Sequence, residues 1–325
     1  MELKPGTRIT DEVVLLRPLG EGAMSSVWVA EHETLGHEVA VKIMARALTR
    51  DATERARFKR EAKLAEQLKS ARITKSYGHG LTEQNTPYLI MELLEGETMA
   101  ARLDEVGKMR PDLVVTILQQ IASALDEAHA LGIVHRDIKP ANIFLLADDE
   151  EVRIKVLDFG MAKRLGSDNP SVVTEAGTAV GTPDYMSPEQ LRNARGVDFR
   201  ADLWAMGVVA YRALTGQRPF VSTTFAGLCM AICTGRYPPP SEVDDTVPPE
   251  LDTWFDKALD LEPDNRFASA NETADTLGVA LGFAEPVVPL TQVAGKESTT
   301  KRLLVILVIA FLALAGGAAV AWLSG

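Results

Sequence analysis

Cysteine and basic residues are scarce in this sequence, and each shortage excludes a class of protein. The 325 residues include only two cysteines, Cys229 and Cys233, too few for the disulfide framework of a small secreted protein. Their i, i+4 spacing fits neither a CxxC redox motif nor half of a zinc site, so we expect reduced thiols on a helix. The 34 Lys and Arg residues against 45 Asp and Glu residues give a net charge of −11. This charge excludes a basic nucleic-acid-binding protein.

Long uncharged runs are also absent, except for one near the C-terminus, from Leu303 to Leu323. As a helix, this run would be about 30 Å long, the thickness of a bilayer core. The alternative is a buried globular helix, which at this length would normally show a polar face. Lys301 and Arg302 precede the run, so the positive-inside rule predicts a single-pass protein of the cell (inner) membrane with residues 1–302 in the cytoplasm.

Two further features belong to the same C-terminal part. Ala313, Gly317 and Ala321 recur every four residues, a spacing that lets two membrane helices approach closely. The pattern would allow a homodimer through this face, although alanine-rich spans also show it by chance. Residues 283–302, rich in Pro, Thr, Val and Gly, are interpreted as a juxtamembrane linker.

The N-terminal part after residue 11 alternates apolar and polar residues in the manner of strands, with one helical interruption. It predicts a small antiparallel sheet and one helix. The predicted strands are Val13–Leu16, Val27–Ala30, Val39–Ile43, Lys75–Leu81 and Pro87–Leu93, and the helix is Asp51–Ser70.

After Gly96 the apolar period changes from two to 3.6, which indicates helices. Only one further hairpin is predicted, with strands Ile143–Leu146 and Val152–Leu157. The stretch Ala201–Leu214 is apolar nearly all round, so we expect it to be a central buried helix. The other predicted helices are Pro111–Leu131, Phe225–Thr234, Glu250–Leu259 and Ala270–Leu281.

A glycine-rich segment lies between the first two predicted strands: Gly20, Glu21, Gly22, Ala23, Met24 and Ser25. Its position in a hairpin argues against a dinucleotide-binding fingerprint, which needs a strand-to-helix turn. It is either an ordinary glycine hairpin or a loop whose backbone N–H groups cover nucleotide phosphates.

Lys42 stands on an otherwise apolar strand, where a cation needs an anionic partner. Glu61 on the next helix can be that partner, which would let Lys42 contact the phosphates of ATP. The alternative is a solvent-facing lysine on an edge strand.

The most specific motifs follow the long predicted helix. The run HRDIKPAN occupies residues 135–142, DFG occupies 158–160, and GTPDYMSPE occupies 181–189. Together with the glycine hairpin and Lys42, these motifs resemble the signature set of protein kinases, most closely the bacterial branch of the eukaryotic-like Ser/Thr kinases. The resemblance covers roughly residues 12–282.

The resemblance implies a bilobal α+β fold and a domain organisation. The expected kinase domain is 12–282, with an N-lobe of 12–93 and a helical C-lobe of 96–282. Residues 1–11 would form an N-terminal extension, residues 283–302 the linker, and residues 303–323 the transmembrane helix.

The resemblance also implies roles for the catalytic residues, with ATP and Mg²⁺ as cofactors. Lys42, held by Glu61, would orient the α- and β-phosphates. Asp137 would accept the proton of the substrate hydroxyl, and Lys139 would neutralise the transferred phosphoryl group. The Mg²⁺ ligands would be Asn142 and Asp158, whose oxygens suit that cation.

The adenine slot and the substrate class follow from the same resemblance. Ala40, the backbone from Glu92 to Leu94, and Met91 as gatekeeper would bound the base. Lys139 and Thr182 resemble Ser/Thr-specific rather than tyrosine-specific kinases, so the partners expected are proteins with Ser or Thr hydroxyls.

Between Asp158 and Glu189 the resemblance places the activation segment, with Thr174 as the first phosphorylation candidate and Thr178 as the second. Ser171 is a weaker candidate. Arg136 would pair with a phosphate in this segment. Alternatively, these hydroxyls only solvate a loop.

Three further residues are expected to support the fold. Glu189 would pair with Arg266, and Asp202 would brace the backbone of the catalytic loop. His32, His37, His79 and His129 show no metal-ligand spacing, and we expect ordinary surface or packing roles for them.

Two departures from the family pattern are present. Ser25 stands where a third glycine is frequent, and residues 70–76 lack the usual His-Pro-Asn-Ile turn.

The rival hypotheses are a catalytically inactive pseudokinase scaffold at the membrane and a kinase of small molecules. The first is disfavoured because every expected catalytic residue is present, the second because GTPDYMSPE resembles a platform for protein substrates.

Overall fold

Residues that alternate between apolar and polar build an antiparallel sheet at the N-terminal end of the protein. The computed structural model describes residues 3–22, 25–44, 58–59, 62–63, 65–147, 151–159, 183–192 and 196–283. Six strands pair antiparallel in the order β1-β2-β3-β4-β6-β5. They are β1 (Arg8–Thr10), β2 (Val13–Glu21), β3 (Ser25–His32), β4 (His37–Met44), β5 (Ser76–Leu81) and β6 (Pro87–Glu92).

One face of this sheet forms the core of the N-lobe. The buried side chains come from every second position of the central strands, for example Val39, Val41 and Ile43 on β4. Strand β1, which was not predicted, adds Ile9 to this core and pairs with β2. Of the predicted helix Asp51–Ser70, the described residues 58–59, 62–63 and 65 are helical, and Phe58 and Ala62 are buried.

A second, three-stranded sheet follows the large one. It pairs β7 (Gly96–Thr98), β8 (Ile143–Leu146) and β9 (Ile154–Val156) in that order. Strand β7 was not predicted. It begins at Gly96, where φ is +135° and an added Cβ would collide with the carbonyl oxygen of Leu145. Only glycine suits this position.

Helices dominate the rest of the described chain. They are α1 (Met99–Val106), α2 (Pro111–Ala130), α3 (Pro188–Arg192), α4 (Arg200–Thr215), α5 (Phe225–Thr234), α6 (Pro240–Val243), α7 (Glu250–Ala258) and α8 (Ala270–Ala280). The two-lobed architecture expected from the sequence, a small antiparallel sheet and a mainly helical lobe, is confirmed.

The core of the helical lobe is built around α4, as its composition predicts. Fourteen of its sixteen residues are buried, and the Trp204 ring stacks on Phe220 at 5.5 Å. The helix ends at Gly216, which is left-handed with φ +74°. Helix α2 packs beside α4 and begins with Pro111 at its first turn. The C-terminal end of α2 and the N-terminal end of α4 converge below the loop that carries the HRD motif.

No helix among the described residues, the last of which is Phe283, is long and apolar enough to cross a membrane. The predicted span Leu303–Leu323 and most of the linker lie outside those residues.

Candidate active site

The loop between α2 and β8 brings three predicted catalytic side chains together. Lys139 Nζ lies 2.8 Å from Oδ2 of Asp137, and Asn142 Nδ2 donates to the same oxygen at 3.0 Å. Asn142 Nδ2 also donates to the backbone carbonyl of Asp137 at 2.8 Å. The Asp137 carboxylate is therefore held in one orientation by a cation and an amide.

A buried carboxylate underneath supports this loop. Asp202, in the first turn of α4, accepts the backbone N–H groups of His135 and Arg136 at 2.8 and 2.7 Å. It also lies 2.8 Å from His129 Nε2 at the end of α2. Arg136 has φ +66°, a conformation that non-glycine residues adopt only when their surroundings enforce it. The brace was expected at Asp202, but His129 was not expected as its partner.

An ion pair joins the N-lobe sheet to the segment that follows β9. Lys42 Nζ, on β4, lies 2.6 Å from Oδ2 of Asp158. The lysine side chain is 10% exposed and the carboxylate 21%, so water screens their attraction only in part. Asp158 also has a positive φ, of +58°. The predicted partner Glu61 lies outside the described residues, so the lysine's described partner is Asp158.

The glycine-rich segment forms the turn between β2 and β3. Gly20 and Glu21 pair with Val27 and Ser26, and the N–H of Gly22 donates to the carbonyl of Ser25 at 2.9 Å. This is the hairpin geometry expected, and it differs from a strand-to-helix turn. Ala23 and Met24, at the tip, lie outside the described residues.

The predicted adenine slot lies where β4 and β6 are neighbours. Ala40 on β4 is directly opposite Met91 on β6, and Glu92 and Leu94 continue the chain toward the C-lobe. The Glu92 carboxylate accepts the N–H of Lys75 at 2.7 Å and Lys155 Nζ at 2.6 Å. Sequence reasoning missed Lys155, because its partner is 63 residues away in the chain.

The end of the GTPDYMSPE motif packs against the catalytic loop and the base of the helical lobe. Arg266 donates to both carboxylate oxygens of Glu189 at 2.8 and 2.9 Å, as the resemblance implies. Asp184 pairs with Arg218, and Gln190 donates to the carbonyl of Arg136. Neither of these last two contacts was predicted.

Several predicted residues of this part lie outside the described residues: Gly160, Ser171, Thr174, Thr178 and Thr182.

Burial shapes the electrostatics around this motif. Burial by itself raises the pKa of the Glu189 carboxyl, but hydrogen bonds and charge from Arg266 outweigh it, so the pKa is lowered from its ordinary value. Burial also raises the pKa of the Tyr185 phenol to about 12, with a smaller contribution from Asp184. Glu189 is therefore ionised and Tyr185 neutral at physiological pH.

The arrangement combines a fixed carboxylate, a nearby ammonium group and oxygen ligands for a divalent cation. Both hydrogen-bond contacts made by Asn142 Nδ2 go to Asp137, so its amide oxygen is the atom suited to bind a cation. No cluster of three or more His, Cys, Asp or Glu side chains that could hold a metal occurs among the described residues. A cation here would thus be held by few protein ligands together with substrate phosphates, as Mg²⁺ usually is.

Comparison with known proteins agrees with this geometry. The family model described as "Protein kinase domain" matches residues 13–276. Serine/threonine-protein kinase Pkn1 of Myxococcus xanthus is 41% identical over 268 residues, covering 82% of this chain and 38% of the relative. Serine/threonine-protein kinase PknB of Mycolicibacterium smegmatis is 36% identical over 280 residues, covering 85% of this chain and 44% of the relative.

Among solved structures, the PknI kinase domain of Mycobacterium tuberculosis superimposes with a TM-score of 0.69 at 26% identity. The match covers 86% of this chain and all of the PknI domain chain. The matched region spans less than half the length of the two curated relatives.

Proposed function

Because this chain belongs to the protein kinase family, with a kinase domain of the serine/threonine type, we propose that it phosphorylates proteins. It transfers the γ-phosphate of ATP to serine and threonine hydroxyls. The observation that carries the proposal is the convergence of Lys139 and Asn142 on one carboxylate oxygen of Asp137. That geometry suits phosphoryl transfer, which depends mainly on positioning and electrostatic stabilisation.

The chain's own residues divide the work. The Asp137 carboxylate accepts a hydrogen bond from the attacking hydroxyl and takes its proton. Lys139, 2.8 Å from that carboxylate, is close enough to neutralise negative charge on the group in transfer. Lys42 contacts the α- and β-phosphates, and the backbone between Glu92 and Leu94 contacts the base edge.

ATP and Mg²⁺ fit the residues that are present. Asn142 and Asp158 offer an amide oxygen and a carboxylate, the hard oxygen ligands that Mg²⁺ prefers. Lys42 Nζ and Asp158 Oδ2 are 2.6 Å apart, so the residue that would bind the cation is next to the one that would hold the phosphates. A Mg²⁺ ion held by these two residues would supply positive charge that offsets the negative charge of the phosphates.

Phosphorylation of its own activation segment is part of the proposal. Thr174 and Thr178 are the expected acceptors, and the arginine before the catalytic aspartate, Arg136, is the residue type that pairs with such a phosphate. The support comes from the sequence, since both threonines lie outside the described residues.

Membrane tethering is the remaining part of the proposal. The uncharged run Leu303–Leu323, preceded by Lys301 and Arg302, supports a single-pass anchor with the kinase domain in the cytoplasm. Confinement to a membrane raises the effective concentration of one kinase at another. It therefore favours phosphorylation between neighbouring copies, including a homodimer through Ala313, Gly317 and Ala321.

One experiment tests the catalytic proposal. The purified full chain is incubated with Mg²⁺, γ-labelled ATP and a generic protein substrate, and phosphosites are mapped by mass spectrometry. We expect label on the substrate and on Thr174 or Thr178. Asp137→Asn should reduce the rate by at least about 10²-fold, because the proton acceptor is lost.

The matched control is Asp245→Asn, the same change at an exposed position of the helical lobe, with an unchanged rate expected. ATP binding without label transfer by the wild type would contradict the kinase proposal and favour the pseudokinase scaffold.

A second experiment tests the anchor. Cells expressing the full chain, or a chain that ends at residue 302, are fractionated without detergent. We expect the full chain in the membrane pellet, resistant to carbonate extraction, and the shorter chain in the supernatant. Recovery of the full chain in the supernatant would contradict the tethering proposal.

A further inference from the structure

Gln190, in the short helix α3, bridges the end of the GTPDYMSPE motif and the catalytic loop. Its Nε2 donates to the backbone carbonyl of Arg136 at 2.9 Å. Its Oε1 accepts the backbone N–H of Ser187 at 3.0 Å and the Ser187 hydroxyl at 3.3 Å. The bridge therefore links two segments that are more than fifty residues apart in the chain.

The orientation of this amide is unambiguous, because two of its partners are backbone groups. A backbone N–H can only donate and a backbone carbonyl can only accept. Rotating the amide by 180° would place a donor against the N–H of Ser187 and an acceptor against the carbonyl of Arg136. The position thus requires one donor and one acceptor on the same short side chain, a requirement that Gln satisfies and that Glu and Met do not.

The bonded carbonyl belongs to the peptide group that leads directly into Asp137. The N–H of the same peptide group donates to His135 Nδ1 at 3.2 Å, and the preceding N–H, that of Arg136, is held by Asp202. Arg136 has φ +66°, so this part of the loop depends on its surroundings to keep its shape. The other backbone groups named here are N–H groups, and the carbonyl of Arg136 is the one that Gln190 holds.

We infer that Gln190 is a positioning residue for phosphoryl transfer, which sets the orientation of Asp137 by holding the Arg136 carbonyl. The inference rests on the proposed kinase function. It also means that the end of the activation segment, through Ser187 and Gln190, is hydrogen-bonded to the residue before the proton acceptor.

Two substitutions separate the two halves of the bridge. Gln190→Glu retains an acceptor for Ser187 but removes the donor to Arg136, whereas Gln190→Met has nearly the same shape and removes both. If the contact with Arg136 positions Asp137, both variants should lose kcat by about 10-fold to 10²-fold, since small misplacements of a reacting group have effects of this size. The KM for ATP should stay within about twofold, because uniform ATP binding is not affected.

The control is Gln84→Glu, the same substitution in the exposed turn between β5 and β6, which should leave kcat unchanged. The full chain is used throughout, and the Tm of each variant is recorded. If Gln190→Glu unfolds, Gln190→Met carries the test. A wild-type kcat in Gln190→Glu would overturn the inference. The hydrogen bonds to Ser187, which this variant keeps, would then be sufficient without the one to Arg136. A parallel rise in the KM for ATP would also overturn it.

Hydrogen exchange of the segment 133–143 provides a readout that does not need turnover. Both Gln190 variants should exchange these amides faster than the wild type, and Gln84→Glu should not. If the wild type binds ATP but transfers no phosphate, the kinase proposal fails, and exchange then decides only whether Gln190 holds the loop around Asp137. Unchanged exchange in both Gln190 variants would then overturn it.

Discussion

At the scale of single residues, Asp202 shows why a carboxylate is needed where an amide of the same shape would not serve. Its two oxygens face three donors: the N–H groups of His135 and Arg136, and His129 Nε2. An asparagine would present its own N–H₂ to at least one of them. A buried donor without an acceptor costs about 1–3 kcal/mol, comparable with the cost of a positive φ at a non-glycine residue. Asp202 therefore stabilises the unusual backbone at Arg136.

The pair Glu189–Arg266 illustrates the opposite problem, a buried cation. The Arg266 side chain has no exposed surface, and it also donates to the carbonyls of Asp260 and Arg200. Its guanidinium lies over the Trp204 ring, 5.0 Å from the centroid. Only the carboxylate of Glu189 balances its charge among these contacts.

Glu189→Gln should consequently destabilise the folded protein at pH 7. Removing the charge of one partner from a buried pair leaves the other uncompensated, which costs about 3–5 kcal/mol when the partner is removed outright. Because Gln still offers one acceptor, we expect a loss near the lower end of that range. The measurement is the free energy of unfolding by urea at pH 7, with Glu83→Gln, in the exposed β5–β6 turn, as the control.

The pH dependence of the same variant follows from the lowered pKa of Glu189. A carboxyl whose pKa is lower in the folded state adds stability above its unfolded pKa and loses it as the pH falls through its folded pKa. The difference in the free energy of unfolding between the wild type and Glu189→Gln should therefore have its full size at pH 7 and become smaller below about pH 4.5. A gap that is constant from pH 7 to pH 4 would contradict this account.

The residues that sequence reasoning missed share a physical property. Asp137, Lys139 and Asn142 are close in sequence, so a motif reveals them together. The contacts of Gln190, His129 and Lys155 depend on which backbone group or carboxylate the fold places beside them. A glutamine or a lysine with ordinary local surroundings gives no signal of such a partner.

At the scale of elements, periodicity was informative wherever an element was long enough to bury one face. Helix α5 begins and ends at the predicted residues, α2 ends one residue earlier than predicted, and α4 extends one residue beyond its prediction at each end. Strands β1 and β7 are three residues long, too short for a period of two to be recognised. They exist because β2 and β8 offer them hydrogen-bonding partners.

Helix α1 was also missed, although a local signal was present. The hydroxyl oxygen of Thr98 accepts the N–H of Ala101 and so caps the helix, while Met99 and Leu103, four residues apart, are its buried side chains. A cap followed by an apolar i, i+4 pair is a helix-start pattern. One turn of apolar periodicity is weak evidence, so tertiary packing decided this element.

At the scale of the whole described molecule, the segment before β5 ties the N-lobe to β9, the strand that precedes Asp158. The N–H of Thr74 donates to the carbonyl of Val156, and Ile73 forms a parallel bridge to the same residue. Beside this bridge, Glu92 at the end of β6 holds both the N–H of Lys75 and the ammonium group of Lys155. The predicted base-binding segment is thus attached to β9 through Lys155, which lies three residues before Asp158.

Lys155→Met tests this attachment while preserving the apolar stem of the side chain. The substitution leaves the Glu92 carboxylate, which is 21% exposed, with the N–H of Lys75 but without its cation. The free energy of unfolding should fall by about 1–3 kcal/mol, and each kcal/mol should lower the Tm by roughly 2–4 °C in a domain of this size. The KM for ATP should rise as well, because the segment from Glu92 to Leu94 is less firmly held, whereas kcat at saturating ATP should change little.

The control is Arg8→Met, which removes an ion pair with Glu33 that is about half exposed on both sides. It should shift neither the Tm nor the KM for ATP measurably. If Lys155→Met behaves like Arg8→Met, the lysine does not join the two lobes, and the backbone contacts of residues 73 and 74 are sufficient to hold them.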